Sequence, residues 1–189
     1  MHVKAKQVAI LGMLAALVTI AIIMASVIRI NTLFLLAAAS FAVGIAIREF
    51  GIRMGVGFWL ACVLLGVILS PDKIYILTFG AMALYIIGNE VLYALLMKSG
   101  KKSRRMIYMI AKLLCFNVIY LPIIIFFPKL IYPGKINLLF FFSAILLGQV
   151  GWFIYDKAYD YVQWKIWTKV RIKLKLNDYY DNIIAIINR

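Results

Sequence analysis

The sequence predicts an all-α integral membrane protein with six transmembrane helices and both termini in the cytoplasm. The chain of 189 residues is 66% hydrophobic. Its apolar runs repeatedly approach or reach about 20 residues, the helix length that crosses a bilayer core of ~30 Å. Of the 21 lysines and arginines, 16 fall where this topology places the cytoplasm, four fall on the other side, and Lys112 lies inside a span. That asymmetry is the positive-inside pattern of membrane proteins.

The apolar runs define the spans in order, and short links between them favour antiparallel neighbours. The predicted spans are residues 7–28, 32–47, 50–69, 74–97, 106–127 and 137–155, so residues 1–155 form the transmembrane domain. The first run is too long for a signal peptide and is predicted to be a retained span. Cys62 and Cys115 lie inside spans, where a thiol packs as a small apolar group, so neither a disulfide nor a metal site is expected.

The net charge of +14 would suggest a nucleic-acid partner in a soluble protein. Here the basic residues follow the topology, so orientation accounts for them and nucleic-acid binding is not expected. Catalysis and cofactor binding are not expected either. The only histidine is His2, and the zinc, Ser-His-Asp and glycine-rich phosphate motifs of common enzymes are missing.

Residues 156–189 are predicted to form a basic and aromatic C-terminal extension. Tyrosines and tryptophans alternate with lysines between residues 156 and 176, a composition that favours the headgroup level of a membrane and anionic lipid. One interpretation is a helix lying on the inner leaflet. The other is a docking element for a cytoplasmic partner.

Three polar residues are predicted to form a layer in the cytoplasmic half of the membrane. Glu90, Lys112 and Gln149 each lie about 9–10 Å inside the predicted inner end of their spans, at 1.5 Å per helical residue. An unpaired charge near the bilayer centre costs at least ~2.5–3.5 kcal/mol. We therefore expect Glu90 to pair with Lys112, with Gln149 or Asn89 completing the hydrogen bonds. The pair is either a lock between helices or a relay or switch for protons or ions.

Polar residues in the outer half suggest a pocket that opens outward. Asn117, Tyr120 and Pro122 interrupt the fifth span, Tyr85 lies on the fourth, and Asn31 belongs to the outer rim. Proline frees a backbone carbonyl, which is tolerated where the helix faces protein or a wet cavity. These residues line a site for a small polar or anionic molecule, or they are a packing kink and ordinary rim residues.

In the first span, Gly12 and Ala16 form a small-xxx-small pair beside Ala15. Small side chains let another helix approach closely. That helix belongs either to this chain or to a partner.

The small-residue opening of the first span, residues 9–17, together with six spans and cytoplasmic termini, resembles the S components of energy-coupling-factor vitamin transporters. The resemblance covers roughly residues 5–155. It implies that Gly12, Ala15 and Ala16 face a transmembrane coupling subunit. It also implies an outward-opening substrate pocket, which Asn31, Tyr85, Asn117 and Tyr120 match by location.

Two features depart from the S components, namely a very short first outer link and a long tail. Residues 31–50 and 112–117 also resemble small membrane proteins of Gram-positive bacteria, which implies no activity. The leading hypothesis is a bacterial plasma-membrane protein that captures a small solute from outside and works with a coupling subunit and ATPases. The alternative is a non-transporting scaffold or assembly partner that recruits proteins through its tail.

Overall fold

The computed structural model describes residues 5–28, 31–98, 104–126 and 138–174. Every element in these ranges is helical, so the all-α prediction is confirmed for them. In chain order the elements are α1 (Ala5–Ile28), α2 (Thr32–Phe50), α3 (Ile52–Leu69), α4 (Lys73–Lys98), α5 (Arg104–Phe126), α6 (Leu138–Tyr161), a π-helical segment (Val162–Trp167) and α7 (Thr168–Leu174). Residues 175–189 of the predicted extension lie outside the described residues.

Two residues with positive φ make the tight connections around α2. Asn31 has φ 55°, a conformation that asparagine tolerates better than most residues. Its carbonyl accepts the N–H groups of Phe34 at 3.0 Å and Leu35 at 3.2 Å, which starts α2 directly. Gly51 has φ 90° and alone separates α2 from α3, since glycine pays no Cβ penalty there.

The most enclosed helix is α2, which packs among α1, α3 and α4. Its buried residues include many small ones, and small side chains allow neighbouring helices to approach closely. These small residues are Ala39, Ser40, Ala42, Gly44 and Ala46. Larger apolar side chains from the other three helices, such as Ile22, Phe58 and Phe79, fill the rest of this core.

The outer surface of the bundle is apolar, with large aliphatic side chains exposed on several helices; examples are Leu17 on α1, Ile68 on α3 and Val118 on α5. Within the described residues, the five helices α1 to α5 are long and apolar enough to cross a membrane. An apolar exterior is stable where lipid replaces water, so the chain is a multi-pass helical membrane protein. The sixth span and the sidedness of the termini stay predictions.

The helix α6 continues past Tyr155, where the sixth span was predicted to end. It runs alongside α2 in the same direction. Tyr155 contacts Ser40, with 2.7 Å between hydroxyl oxygens, while the Trp167 N–H reaches Glu49 at 2.7 Å. Tyr155 therefore lies beside the middle of α2, and Trp167 lies beside its end. The side chains of Asp156, Tyr159 and Gln163 are buried against the bundle, and the division of the chain between residues 155 and 156 stays a prediction.

Candidate functional site

One face of α6 and the π-helical segment presents polar and aromatic side chains to the bundle. These residues are three or four positions apart, so they share a face of the helix. They are Trp152, Tyr155, Asp156, Tyr159 and Gln163. Tyr159 is completely buried, and Asp156 and Gln163 are nearly so. This stripe brings α6 into contact with charged residues of three other helices.

The first ion pair joins α2 to α4. Arg48 donates from Nη2 to Oε1 of Glu90 at 2.8 Å and from Nε to the same oxygen at 3.0 Å. The hydroxyl of Tyr159 donates to that oxygen as well, at 2.5 Å. Glu90 is completely buried, and charge-assisted hydrogen bonds of this kind offset the cost of removing a carboxylate from water.

The second ion pair joins α5 to α6. Lys112 Nζ lies 2.8 Å and 3.1 Å from the two carboxylate oxygens of Asp156. It lies 3.7 Å from Asp160 and 4.6 Å from the centre of the Tyr108 ring. Lys112 is only 3% exposed, so these groups replace its hydration almost completely.

Tyr85 on α4 is held between two residues of α6. Its hydroxyl donates to Oδ1 of Asp156 at 2.8 Å and accepts the indole N–H of Trp152 at 2.9 Å. Tyr85 thus connects the Lys112–Asp156 pair to Trp152, which lies one turn before Asp156 on α6.

The predicted pairing of Glu90 with Lys112 is corrected, because each has an ion-pair partner elsewhere: Arg48 for Glu90 and Asp156 for Lys112. Counting residues predicts how deep a group lies in the membrane, but not the direction in which its helix face points. Gln149 does not complete this layer either, since its Nε2 donates to Asn117 at 2.8 Å. Asn89 accepts the hydroxyl of Tyr108 at 2.5 Å.

Three of the four residues matched to a substrate pocket come together between α4, α5 and α6. Phe116 connects them, since its ring centre lies 6.3 Å from that of Tyr85 and 4.8 Å from that of Tyr120. Asn117 follows Phe116 on α5. The Tyr120 hydroxyl donates to the Ala144 carbonyl at 2.9 Å.

Gln149 gives this cluster an unsatisfied acceptor. Its carbonyl oxygen is buried and has no hydrogen-bond partner among the described residues. Buried polar atoms are nearly always paired, so such an atom calls for an explanation. An open depression between α5 and α6 lies directly alongside. Its lining residues are Leu113, Asn117, Gln149, Val150, Trp152 and Phe153.

The fourth pocket residue, Asn31, is placed elsewhere. It is exposed and precedes the first turn of α2, where its side chain forms no cap hydrogen bond. None of the contacts in the α4–α5–α6 cluster involves it. Its left-handed backbone gives it a structural role in the turn between α1 and α2.

The small residues of α1 divide between two faces. Ala15 packs against the apolar core of this chain. Gly12 and Ala16 are exposed, and a Cβ added at Gly12 would meet nothing within 4 Å. The contact of Gly12 and Ala16 with a coupling subunit stays a prediction.

The C-terminal end of α2 contacts the segment that follows α6. Glu49 is buried and accepts the indole N–H of Trp167 at 2.7 Å, and Arg171 Nε lies 4.0 Å from the same oxygen. The segment is π-helical at this point, a conformation that occurs often at functional sites. Among the described residues, no group of three or more potential metal ligands occurs.

Comparisons with protein-family models, with curated proteins and with solved structures found no match. The contacts described above are therefore the basis for assigning a function.

Three members of the buried network are not predicted from the sequence, namely Arg48, Asp156 and Tyr159. The predicted spans end at residues 47 and 155, which places Arg48 in a link and Asp156 and Tyr159 in the extension. A signal was available, because polar and aromatic residues recur every three or four positions from Trp152 to Gln163. The predicted span ends at Tyr155, within this pattern, so it separates Trp152 and Tyr155 from Asp156, Tyr159 and Gln163.

Proposed function

We propose that this chain is the solute-binding membrane subunit of an uptake system, similar to the S components of energy-coupling-factor transporters. In this proposal a small solute binds between α4, α5 and α6. A separate coupling subunit and its ATPases supply the energy. The protein would reside in a bacterial plasma membrane and would not itself be an enzyme.

The convergence of Tyr85, Asn117 and Tyr120 around Phe116 is the observation that carries this proposal. The rings of Tyr85, Phe116 and Tyr120 pack directly against one another, with centres 4.8–6.3 Å apart, and form an apolar wall. The buried carbonyl oxygen of Gln149 has no donor in the part of the chain that the structure describes, so a solute with an N–H or O–H group directed at it would complete its hydrogen bonding. Ligand sites commonly combine such an apolar wall with a few placed polar groups.

The buried ion pairs give this site a connection to the inner end of the protein. Tyr85 contacts Asp156, and Asp156 pairs with Lys112. A solute that drew the Tyr85 hydroxyl away from Asp156 would remove one hydrogen bond from the carboxylate that pairs with Lys112. Intramembrane ionisable residues frequently take part in function, which favours a coupling role beside their role in holding the helices together.

The test is to purify the full chain in mild detergent, denature it and identify released small molecules by mass spectrometry. We expect a bound small molecule from wild type, with occupancy reduced at least tenfold in Gln149→Leu and Asn117→Ala. The matched control is Gln163→Leu, since the Gln163 carbonyl oxygen is also buried without a partner among the described residues, but lies outside the cluster. It should retain wild-type occupancy.

The absence of a bound small molecule would favour the alternative function, a non-transporting scaffold that recruits proteins through its tail. The proposal would be overturned if the chain released no small molecule and bound no ATPase subunits. In that case it would co-purify with another protein, which would be lost on deleting residues 177–189. Equal loss of ligand in Gln163→Leu and Gln149→Leu would also count against this site.

A further inference from the structure

The segment after α6 has an exposed face of aromatic, apolar and basic side chains, which we call the inner surface. Tyr161 is 54% exposed and Trp164 64%, with Ile166 and Val170 at 49% and 37%. Lys165 and Lys169 are exposed between them. The inner surface consists of these six residues. We propose that it binds the headgroups of anionic phospholipids in the membrane leaflet beside the inner end of α2.

The opposite face of the segment is attached to the bundle, so the inner surface has a defined direction. Gln163 donates to the Phe41 carbonyl at 3.3 Å. Trp167 and Arg171 both approach Glu49, at 2.7 Å and 4.0 Å. Because these contacts hold one side of the helix against α2, the other side faces away from the protein.

The inner surface lies at the level where α2 ends. The guanidinium carbon of Arg48, near the end of α2, is 5.6 Å from the centre of the Trp164 ring. Towards the middle of the bundle, the surface continues into exposed Phe153 and Ile154 of α6. Basic side chains begin at exposed Lys157, whose Nζ lies 5.6 Å from the Phe153 ring centre. A surface that changes from apolar to aromatic and basic side chains towards a helix end matches the boundary between acyl chains and headgroups.

The charge of the inner surface fits phosphate groups. No acidic residue occurs between residues 162 and 174. Within the described residues, neither Lys165 nor Lys169 has a carboxylate within ion-pair distance, whereas Lys112 and Arg171 do. Lys165 Nζ lies 5.2 Å from the Tyr161 ring centre, which leaves its remaining donors available. A lysine beside an anionic membrane surface contributes about fivefold in affinity.

Lipid fits this surface better than a soluble acidic partner does. Trp164 and Ile166 would be exposed to water if only the lysines were engaged, and burying such side chains at a membrane boundary is favourable. The inference is independent of solute binding, since it uses none of the residues of the α4–α5–α6 cluster.

The test is a lipid titration of the detergent-purified full chain, followed by native mass spectrometry with phosphatidylglycerol or phosphatidylcholine. Wild type should prefer phosphatidylglycerol. The double variant Lys165→Gln/Lys169→Gln should bind phosphatidylglycerol about 25-fold more weakly, as two lysines contribute about fivefold each. Its thermal unfolding in detergent should match wild type, because both side chains are exposed.

The matched control is Lys101→Gln/Lys102→Gln, which makes the same change in net charge on the same predicted side of the membrane. It should keep phosphatidylglycerol affinity within about twofold of wild type. Equal weakening in both double variants would show a bulk charge effect and overturn the proposal. Unchanged phosphatidylglycerol binding in Lys165→Gln/Lys169→Gln would also overturn the proposal. The same conclusion would hold if this variant kept its lipid binding but lost a co-purifying protein.

Discussion

The hydroxyl of Tyr159 donates to Oε1 of Glu90 at 2.5 Å. The glycine at position 44 makes room for this contact. A Cβ built at Gly44 would overlap the Tyr159 hydroxyl oxygen and would come within 2.7 Å and 2.8 Å of two ring carbons. A missing side chain on α2 therefore permits a hydrogen bond between α6 and α4.

Replacing Gly44 with alanine should destabilise the protein by about 1–3 kcal/mol, because overpacking forces either the ring or the helices to move. Thermal unfolding in detergent measures the loss. Gly12→Ala is the matched control, since an added Cβ there meets nothing. It should be neutral or stabilising by up to about 1 kcal/mol through helix propensity. Similar losses in both variants would contradict the packing account.

The partners of Lys112 can be tested by charge removal. Lys112→Met leaves Asp156 buried without its cation and should cost about 3–5 kcal/mol. Adding Asp156→Asn should recover part of that loss, because it removes the buried carboxylate and leaves only the more exposed Asp160 without its cation. Adding Glu90→Gln instead should recover nothing, since Glu90 is paired with Arg48. If Glu90→Gln rescued Lys112→Met and Asp156→Asn did not, the result would support the Glu90–Lys112 pair predicted from the sequence.

The buried carboxylate of Glu49 connects the end of α2 to Trp167 and to Arg171 of α7. Trp167→Phe removes the donor to Glu49 and should raise amide hydrogen exchange in residues 168–174 by about tenfold or more, since a hydrogen bond to a charged group contributes about 1.5–3 kcal/mol. Trp164→Phe is the control, because it keeps an aromatic ring beside Arg48. If exchange rises equally in both variants, the Glu49 contact does not hold the segment.

The sidedness of the six-span topology can be read by cysteine labelling in intact cells. In a chain whose Cys62 and Cys115 are replaced by serine, Ser103→Cys should resist a membrane-impermeant maleimide. Tyr132→Cys should react with it, because the positive-inside pattern places residues 128–136 outside. Reaction at residue 103 with protection at residue 132 would reverse the predicted orientation.

Much of the fold was predictable because the bilayer imposes simple requirements on sequence. Five spans correspond to helices of the structure with small shifts at their ends, as at Gly51, where a single residue separates α2 from α3. The end of α6 was less predictable. Asp156 reads as the start of a polar tail, since nothing in the local sequence shows that Lys112 and Tyr85 receive its carboxylate.

The candidate site was also predictable only in part. Location in the outer half of the membrane and the proline kink predict Tyr85, Asn117 and Tyr120 as pocket residues, and contacts with Phe116 and Gln149 link them in the structure. Location at the outer rim also predicts Asn31, but its place at the start of α2 separates it from the cluster. Depth along a helix is a property of sequence, whereas neighbours across helices are not.

The sequence by itself determined that this is a helical membrane protein, where five of its long apolar helices lie, and that its buried charges would need partners. These follow from hydrocarbon thickness and from the cost of an unpaired charge. Only the tertiary structure decided that Arg48 pairs with Glu90 and Lys112 with Asp156. The physical reason is rotation: a turn of 100° per residue sets which face meets which neighbour, and packing of small residues such as Gly44 sets that rotation.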